Sequence, residues 1–397
     1  MLSQRQLFLQ HQAQTTDFPL LLEVERAEGI YMYGPNGERY LDLISGIGVS
    51  NVGHRHPEVI AAIQNQLEKY LHLMVYGEIV QGPQVQLATQ LATTLPAQLN
   101  NVYLVNSGSE AVEGALKLAK RFTGRTELIS YSNAYHGSTH GSLSLNGSEI
   151  FKNAFRPLLP DVRQIRHNYL PDLEKITPRT AAVIIETVQG EAGVRLPEPG
   201  YLPALRARCN QTGTLLILDE IQAGFGRTGT FWAFEQFGME PDILVCAKGM
   251  GGGMPIGAFI ASQEIMGSLK NSPLLGHITT FGGHPVSCAA SLATLNILRH
   301  SNFIQQVPAK AKLFQQLLVH PLIKNIRHCG LLMAAEFESF AVLKPVIDQA
   351  IKNGVLTDWF LFCDNAMRLA PPLTITENEI KEACAIILKS INEVFPS

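Results

Sequence analysis

Between residues 100 and 262, short apolar runs alternate with helical stretches, and this alternation constrains the fold more than any other feature of the sequence. Several runs are apolar throughout, as expected for strands that are covered on both faces of a sheet. The intervening stretches 109–121 and 200–212 have helical periodicity. The pattern predicts an α/β fold with a mainly parallel sheet flanked by helices. The predicted strands are 102–105, 127–130, 182–185, 215–218, 243–247 and 257–261.

The two ends of the chain follow a different pattern. Near the start, Asn36 and Gly37 stand between apolar alternations and predict a β-hairpin within residues 21–50. The last hundred residues mix helical and strand patterns. We therefore expect an N-terminal segment that packs with a smaller α+β domain, beside one large domain. The predicted boundaries are 1–50, 51–280 and 285–397, with helices at 57–73, 84–95, 285–320, 341–353 and 377–394, and a strand at 331–337.

Composition and charge narrow the choice of partners. The chain carries a net charge of −3 with its Lys and Arg residues scattered, which gives no electrostatic footprint for nucleic acid or an anionic membrane. Residues 1–14 lack the apolar region of a secretory signal, and no apolar run has the length of a membrane span. The six cysteines form no C-x-x-C pair and have no His cluster at zinc-ligand spacing. We expect a cytoplasmic protein with reduced thiols, no metal site and no nucleic-acid or membrane partner.

Unusual residues gather where the predicted strands end, and ligands of open α/β sheets bind outside the carboxyl ends of the strands. The strand 102–105 runs into Asn106-Ser107-Gly108-Ser109-Glu110, after which a helix is predicted. A small-residue turn at a helix start offers free backbone N–H groups and the positive end of the helix dipole, so phosphate is a natural ligand. An ordinary Ser or Gly cap would give the same local sequence.

Two further strand ends carry charged residues. The strand 215–218 is followed by Asp219 and, three residues on, by Gln222. A carboxylate in this place needs a cationic or hydrogen-bonding partner, such as a protonated pyridine nitrogen, or else it caps the next segment. The strand 243–247 ends at Lys248, which a glycine-rich run follows. A desolvated lysine has a lowered pKa and becomes a nucleophile for carbonyl carbons. Since this lysine precedes the glycines, the run is not a P-loop.

Taken together, these segments resemble the class III aminotransferases of the ornithine and acetylornithine type, which belong to fold type I of the pyridoxal 5′-phosphate (PLP) enzymes. The similarity runs through nearly the whole chain in the family's order. The matching stretches are 53–57 (GHRHP), 106–110 (NSGSE), 134–137 (AYHG), 186–193 (ETVQGEAG), 218–229 (LDEIQAGFGRTG), 241–242 (PD), 247–249 (AKG), 279–285 (TTFGGHP) and 368–373 (RLAPPL).

The resemblance implies a large domain with a seven-stranded type of sheet and PLP as the cofactor. It assigns the catalytic roles to Lys248, which holds the cofactor covalently and then carries the proton, and to Asp219, which pairs with the pyridine nitrogen. Thr280 is implied to complete the phosphate site of the neighbouring subunit, so the expected active unit is a homodimer with shared sites. The remaining implied cofactor-binding residues are Ser107, Gly108, Ser109, Tyr135, His136, Glu186 and Gln222.

The same resemblance implies a substrate-binding pair. In relatives that alternate between two amino donors, the residues matching Glu191 and Arg368 form a switchable ion pair. Released from the glutamate, the arginine grips the α-carboxylate of glutamate or 2-oxoglutarate. The implied acceptor is therefore 2-oxoglutarate, with a pyruvate-like keto acid as the other choice. A fixed structural salt bridge is the alternative interpretation of the same two residues.

At two positions the chain departs from the family's pattern. Ornithine, acetylornithine and 4-aminobutyrate members usually carry an arginine where this chain has Ser138, and that arginine binds a substrate carboxylate. Ile47 stands where ornithine-type members can carry a polar aromatic residue. Because serine supplies no charge, both departures favour an ω-amino or simple amine donor, although acetylornithine and ornithine stay open.

Two other interpretations share the same residues. An aminomutase, racemase or decarboxylase of this family would also need Lys248 and Asp219. A non-catalytic PLP-binding regulator is disfavoured, because the chain has no basic DNA-binding stripe and keeps the lysine. Glutamate-linked amino transfer is the leading hypothesis.

Overall fold

A seven-stranded sheet forms the centre of the computed structural model, which describes residues 2–396. The strand order is β4-β10-β9-β8-β7-β5-β6, and only β10 runs antiparallel to its neighbours. This arrangement confirms the predicted α/β fold with a mainly parallel sheet. The strands are β4 (Asn101–Val105), β5 (Glu127–Tyr131), β6 (Val162–Ile165), β7 (Thr180–Glu186), β8 (Leu215–Asp219), β9 (Ile243–Cys246) and β10 (Gly257–Ala261).

The burial of these strands explains their sequence. Every residue of β5, β7, β8, β9 and β10 is buried, so a continuous apolar run suits them better than an alternating one. All six predicted strands are present to within two residues at either end. The seventh strand, β6, lies at the edge of the sheet and has one buried residue, Ile165, which explains why its apolar pattern is weak.

A second sheet joins the two ends of the chain. Its strands β1 (Arg26–Glu28), β2 (Tyr31–Tyr33) and β3 (Arg39–Asp42) pair antiparallel in order. The predicted Asn36-Gly37 turn connects β2 to β3, and Gly37 adopts a positive φ of 87° that glycine accepts without steric cost. The fourth strand, β13 (Val355–Leu356), lies parallel to β3. The N-terminal hairpin therefore hydrogen-bonds to the C-terminal part of the chain.

A third sheet consists entirely of C-terminal strands. Its order is β11-β12-β15-β14, with all pairs antiparallel. The sequence predicted only the second of them, because β11 and β15 carry polar side chains and β14 has only two residues. The strands are β11 (Asn325–Cys329), β12 (Leu332–Glu336), β14 (Trp359–Phe360) and β15 (Cys363–Leu369).

Helices cover the sheets. The predicted single helix over 285–320 is wrong, because Ser301 adopts an extended backbone and divides the segment into two helices. The first of these packs against α3 and α4, and the placement of a domain boundary near it stays a prediction. No described helix is long and apolar enough to cross a membrane. The helices are α1 (Gln4–His11), α2 (Ser45–Gly48), α3 (Pro57–Leu67), α4 (Gly82–Ala92), α5 (Gly108–Thr123), α6 (His140–Leu145), α7 (Glu149–Lys152), α8 (Tyr201–Thr212), α9 (Gln263–Gly267), α10 (Pro285–His300), α11 (Phe303–Leu317), α12 (Phe340–Lys352) and α13 (Glu377–Val394).

A fully buried arginine connects distant parts of the chain behind the central sheet. Arg227 donates from its guanidinium to the carbonyl oxygens of Leu331 and Pro371 and to the side-chain oxygen of Asn51. No carboxylate within residues 2–396 bonds to it, and burial lowers its pKa to about 9. A buried cation without hydrogen-bond partners is costly. The three oxygens that bind the guanidinium therefore keep the N-terminal and C-terminal segments close to it.

Candidate active site

A cavity of about 430 Å³ opens beside the carboxyl ends of β4, β8 and β9, at the strand ends that the sequence singled out. Most of its surface is apolar, supplied by residues such as Val49, Val188 and Ile256. Ten predicted site residues line this cavity, and they come from five separate segments of the sequence. They are Ser107, Gly108, Ser109, Tyr135, His136, Glu186, Glu191, Asp219, Gln222 and Lys248.

The start of α5 forms one wall of the cavity. Ser107 is the N-cap, and its hydroxyl accepts a hydrogen bond from the backbone N–H of Glu110 at 3.2 Å. The amides of Gly108 and Ser109 are the first two of a 16-residue helix and have no partner within it. A Cβ at Gly108 would lie 2.9 Å from Ile221, so a side chain there would displace a cavity residue. The wall therefore offers an anion backbone N–H groups and the positive helix end.

Asp219 and His136 form a buried pair at the end of β8. The Oδ2 atom of Asp219 lies 2.7 Å from Nδ1 of His136, and its Oδ1 atom accepts the backbone N–H of Ile221 at 3.0 Å. The other ring nitrogen of His136, Nε2, is buried without a hydrogen-bond partner. Both carboxylate oxygens of Asp219 are thus held in place by the protein.

Glu186 closes the end of β7 and supports the neighbouring loop. It accepts the backbone N–H groups of Tyr135 at 3.0 Å and Gly190 at 2.8 Å. Burial raises the pKa of Glu186 to about 7, while His136 acts in the opposite direction. The carboxyl group therefore fixes the backbone that carries Tyr135 into the cavity.

Lys248 follows β9 directly and lines the cavity. Its backbone has a positive φ of 45°, an uncommon conformation for a non-glycine residue. Desolvation lowers its pKa, and Arg368 lowers it as well, whereas Glu191, Asp219 and Glu186 raise it. The net lowering leaves a larger fraction of the amine neutral, which is the form that attacks carbonyl carbons.

Glu191 and Arg368 form a bidentate ion pair at the cavity edge. The two terminal guanidinium nitrogens lie 2.9 and 3.0 Å from the two carboxylate oxygens. Gln222 also donates to Glu191 at 3.1 Å, although its own Oε1 atom is buried without a partner. Burial opposes ionisation of Glu191, but Arg368 outweighs it and the pKa of the carboxyl falls to about 2.

Four of the residues that the sequence singled out do not line this cavity, namely Arg368, Thr280, Ile47 and Ser138. Thr280 is exposed and does not line the cavity of its own chain. Its neighbour Thr279 accepts a hydrogen bond from Asn106, at 3.0 Å, beside the start of α5. Ile47 is half-buried and is likewise absent from the cavity wall. The hydroxyl of Ser138 lies 3.2 Å from that of Tyr135.

Two carboxylates that support the site were not among the predicted residues. Glu220 is fully buried and accepts hydrogen bonds from the Thr187 hydroxyl and the backbone of Ala233 and Phe234. Burial raises its pKa to about 7. The sequence could have indicated Glu220, because it directly follows Asp219 at the end of a buried strand, where a charged side chain needs partners. Asp358 contacts Arg368, and nothing in the spacing of the sequence indicates this contact.

The donor set of the cavity fits PLP. The start of α5 suits a phosphate group, and Asp219 offers a carboxylate that can pair with a pyridine nitrogen. Lys248, whose pKa is lowered, offers an amine that can react with an aldehyde. The unpartnered atoms His136 Nε2 and Gln222 Oε1 leave hydrogen-bonding capacity in a buried site. Within residues 2–396, no group of three or more His, Cys, Asp or Glu side chains is placed to hold a metal ion.

The fold and this site together define a PLP-dependent enzyme of fold type I. The family Aminotransferase class-III matches residues 12–391. An acetylornithine aminotransferase from Methanopyrus kandleri is 39% identical over 363 residues, which cover 90% of this chain and 91% of that protein. The chain belongs to the class III aminotransferases, and it transfers amino groups with PLP as its cofactor.

Solved structures agree with this assignment. An ornithine aminotransferase from Toxoplasma gondii is 30% identical, with a TM-score of 0.90 and coverage of 98% of this chain and 94% of that one. An (S)-enantioselective ω-transaminase from Thermomicrobium roseum is 28% identical, also with a TM-score of 0.90, over 98% and 97% of the two chains. The similarity therefore extends over the whole fold.

Proposed function

We propose that this aminotransferase passes the amino group of an ω-amino or simple amine donor to 2-oxoglutarate through a ping-pong cycle. The observation that carries the proposal is the Arg368–Glu191 pair, which lies at the edge of the cavity that Lys248 lines. Glu191 is a flexible side chain bound to the terminal nitrogens of Arg368, so a substrate carboxylate can replace it there. Glutamate and 2-oxoglutarate both carry a carboxylate next to the reacting carbon.

The cofactor roles follow from the same cavity. Lys248 would hold the cofactor covalently, and Asp219, oriented by His136, would pair with its ring nitrogen. The amides of Gly108 and Ser109 bind the phosphate, while the Ser107 side chain acts as the cap of α5. Tyr135 and Gln222 would contact the ring and its oxygen, and Glu186 holds the backbone of Tyr135 in place.

The bound cofactor supplies an electron-withdrawing ring that stabilises negative charge at the substrate carbon. Lys248 does the remaining proton chemistry. Because its pKa is lowered, the free amine accepts a proton from the substrate carbon and returns it. The apolar cavity walls exclude water and so strengthen the electrostatic contacts among the charged residues.

Ser138 supports a donor without a carboxylate at that end of the site. Its hydroxyl carries no charge and already lies within hydrogen-bond distance of Tyr135. Among the described residues that line the cavity there is no arginine, and Arg368 is engaged by Glu191. The similar proteins are named for acetylornithine, for ornithine and for ω-transamination. Of these, transfer from an amine that has no carboxylate at that end suits Ser138 best.

A homodimer in the cytoplasm is part of the proposal. Thr280 lies on an exposed segment away from its own cavity, where it is available to a second copy of the chain. The segment also exposes the apolar side chains of Leu274, Ile278 and Phe281. A partner subunit would cover these side chains, and Thr280 would then lie beside the phosphate site of that partner. Sedimentation at equilibrium should give twice the mass of the chain.

A half-reaction screen on the purified holoenzyme tests the function. Donors are added one at a time, and conversion is read as loss of the visible absorbance of the lysine-bound cofactor. The panel is ornithine, N-acetylornithine, 4-aminobutyrate, lysine, β-amino acids, butylamine and glutamate. Conversion by glutamate and by one amine supports the proposal. Conversion by an amine but not by glutamate would reject the 2-oxoglutarate assignment, and no conversion at all would favour mutase or racemase chemistry.

A further inference from the structure

Arg368 has a second carboxylate partner on the side away from Glu191. The Oδ1 atom of Asp358 accepts the Nε–H of Arg368 at 2.9 Å, while the backbone N–H of Arg368 donates to the carbonyl oxygen of Asp358 at 2.8 Å. The arginine side chain is 3% exposed and that of Asp358 is 25% exposed. The two residues are therefore joined through both main chain and side chain.

The two carboxylates bind different nitrogens of the guanidinium group of Arg368. Glu191 occupies the terminal nitrogens, Nη1 and Nη2, whereas Asp358 occupies Nε. The carbonyl oxygen of Trp359 accepts a further bond from Nη2 at 3.2 Å, and the Phe360 ring lies 4.5 Å from the guanidinium carbon. A guanidinium is planar and rigid, so contacts at Nε set the direction in which the terminal nitrogens point.

We propose that Asp358 is a positioning residue that holds the Nε edge of Arg368 still while the terminal edge exchanges Glu191 for the carboxylate of glutamate or 2-oxoglutarate. This inference rests on the proposed function, because it takes Arg368 as the residue that binds the acceptor's carboxylate. Asp358 itself does not touch the substrate.

The positions of the two carboxylates show which one exchanges. Glu191 lines the cavity, so an incoming carboxylate meets it directly, whereas Asp358 does not line the cavity. Glu191 also has two contacts that do not involve Arg368, from Gln222 and from the backbone N–H of Leu361, each at 3.1 Å. These contacts give Glu191 partners when Arg368 is taken by a substrate. Asp358 is bound to no described cation other than Arg368, and the backbone hydrogen bond between the two residues keeps it there.

Loss of the Nε contact should weaken acceptor binding specifically. Without Asp358, the guanidinium must be ordered by the substrate, and part of the bidentate interaction is lost. Asparagine at this position keeps a neutral acceptor, which is roughly half as strong as the charged one. A graded series is therefore expected, with the wild type binding best, Asp358→Asn intermediate and Asp358→Ala weakest, the last by roughly tenfold.

Two measurements on the holoenzyme test this inference. The first is the dissociation constant of glutarate by titration calorimetry, since glutarate has carboxylates but no group that reacts. The second is the half-saturation concentration of glutamate and of butylamine in the absorbance half-reaction. The variants are Asp358→Ala, Asp358→Asn and Arg368→Lys. Asp364→Ala is the matched control, because Asp364 is an exposed carboxylate at the start of the adjacent strand.

The expected result is weaker glutarate and glutamate binding in the order above, with butylamine and the Asp364→Ala variant unchanged. If Arg368→Lys weakens the binding of glutamate and neither Asp358 variant does, Arg368 keeps its proposed role and the inference about Asp358 is overturned. Equal losses for glutamate and butylamine would show a general structural effect and also overturn it. If Arg368→Lys does not change the binding of glutamate, the proposed function is wrong, because Arg368 then does not bind the substrate carboxylate. Should the alanine variant not fold, the asparagine variant alone decides.

Discussion

Arg368 and Glu191 meet end to end, with both terminal guanidinium nitrogens within 3.0 Å of the carboxylate oxygens. The pair is almost fully buried, at 3% and 5% side-chain exposure. A buried pair of this kind adds little net stability, yet removing one partner leaves an uncompensated charge. The proposed exchange with a substrate carboxylate would give this buried pair a role other than stabilisation of the fold.

The first prediction concerns Arg368→Ala. The change leaves Glu191 and Asp358 without their shared cation, and we expect a loss of about 3–5 kcal/mol in the free energy of unfolding. The half-saturation concentration of glutamate should rise far more than that of an amine donor. Urea unfolding and the absorbance half-reaction measure the two effects. Equal losses for both substrates would contradict the exchange of partners.

The second prediction concerns Lys248→Ala. Without the amine, the protein cannot hold the cofactor covalently, so the visible absorbance of the lysine-bound form should be absent after reconstitution. Lys270→Ala is the control, because Lys270 is an exposed lysine outside the cavity. Denaturation releases free cofactor, which a fluorescence assay counts. Persistence of the lysine-bound absorbance in the Lys248→Ala protein would show that another lysine carries the cofactor.

The third prediction concerns Ser138→Arg. A guanidinium at this position would offer a charge-assisted contact to a carboxylated donor, roughly twice as strong as a neutral hydrogen bond. The half-saturation concentration of 4-aminobutyrate should fall by about five- to tenfold. Butylamine should not gain. Ser138→Ala separates this gain from loss of the contact with the Tyr135 hydroxyl, and an unchanged 4-aminobutyrate response would place the donor elsewhere.

The fourth prediction concerns pH and Glu220. Burial raises the pKa of this carboxyl from 4.5 to about 7. Between these values the folded protein binds a proton that the unfolded chain does not, so the contribution is present below pH 4.5 and is lost as the pH rises to 7. The loss is on the order of 3 kcal/mol, since each pKa unit corresponds to about 1.4 kcal/mol.

Glu220→Gln removes this titration while keeping the side-chain shape. In urea titrations from pH 5 to pH 8, the free energy of unfolding should fall less with pH in the variant than in the wild type. Glu68→Gln, at an exposed position, is the control and should follow the wild type. Parallel curves for Glu220→Gln and the wild type would mean that the buried carboxyl stays ionised throughout.

Much of the central sheet was predictable, because strands buried on both faces leave continuous apolar runs. The edge strand β6 and the C-terminal strands β11 and β15 were missed for the opposite reason. Their polar residues, such as Arg327 and Asn365, are satisfied by tertiary partners that no local pattern indicates. Helix length was also overestimated at Ser301, where only the backbone conformation ends α10.

The candidate site was predictable where chemistry follows a strand end directly. Lys248, Asp219 and the residues around Gly108 all have this placement, and the structure brings them to one cavity. Asp358 could not be found in this way. Its contact with Arg368 depends on the pairing of β14 with β15, whose register shifts at Trp359 and Phe360. Sequence spacing does not encode such a shift.

The buried guanidinium of Arg227 has a consequence for the order in which parts of the fold can form during synthesis. Its oxygen partners come from Asn51, Leu331 and Pro371, so the last of them is synthesised 144 residues after the arginine. Until then, the loop that follows Asp219 contains a cation that cannot be buried without cost. The strands of the central sheet all precede Leu331 and can pair earlier, whereas the loop can bury its arginine at no such cost only after Pro371 has been synthesised.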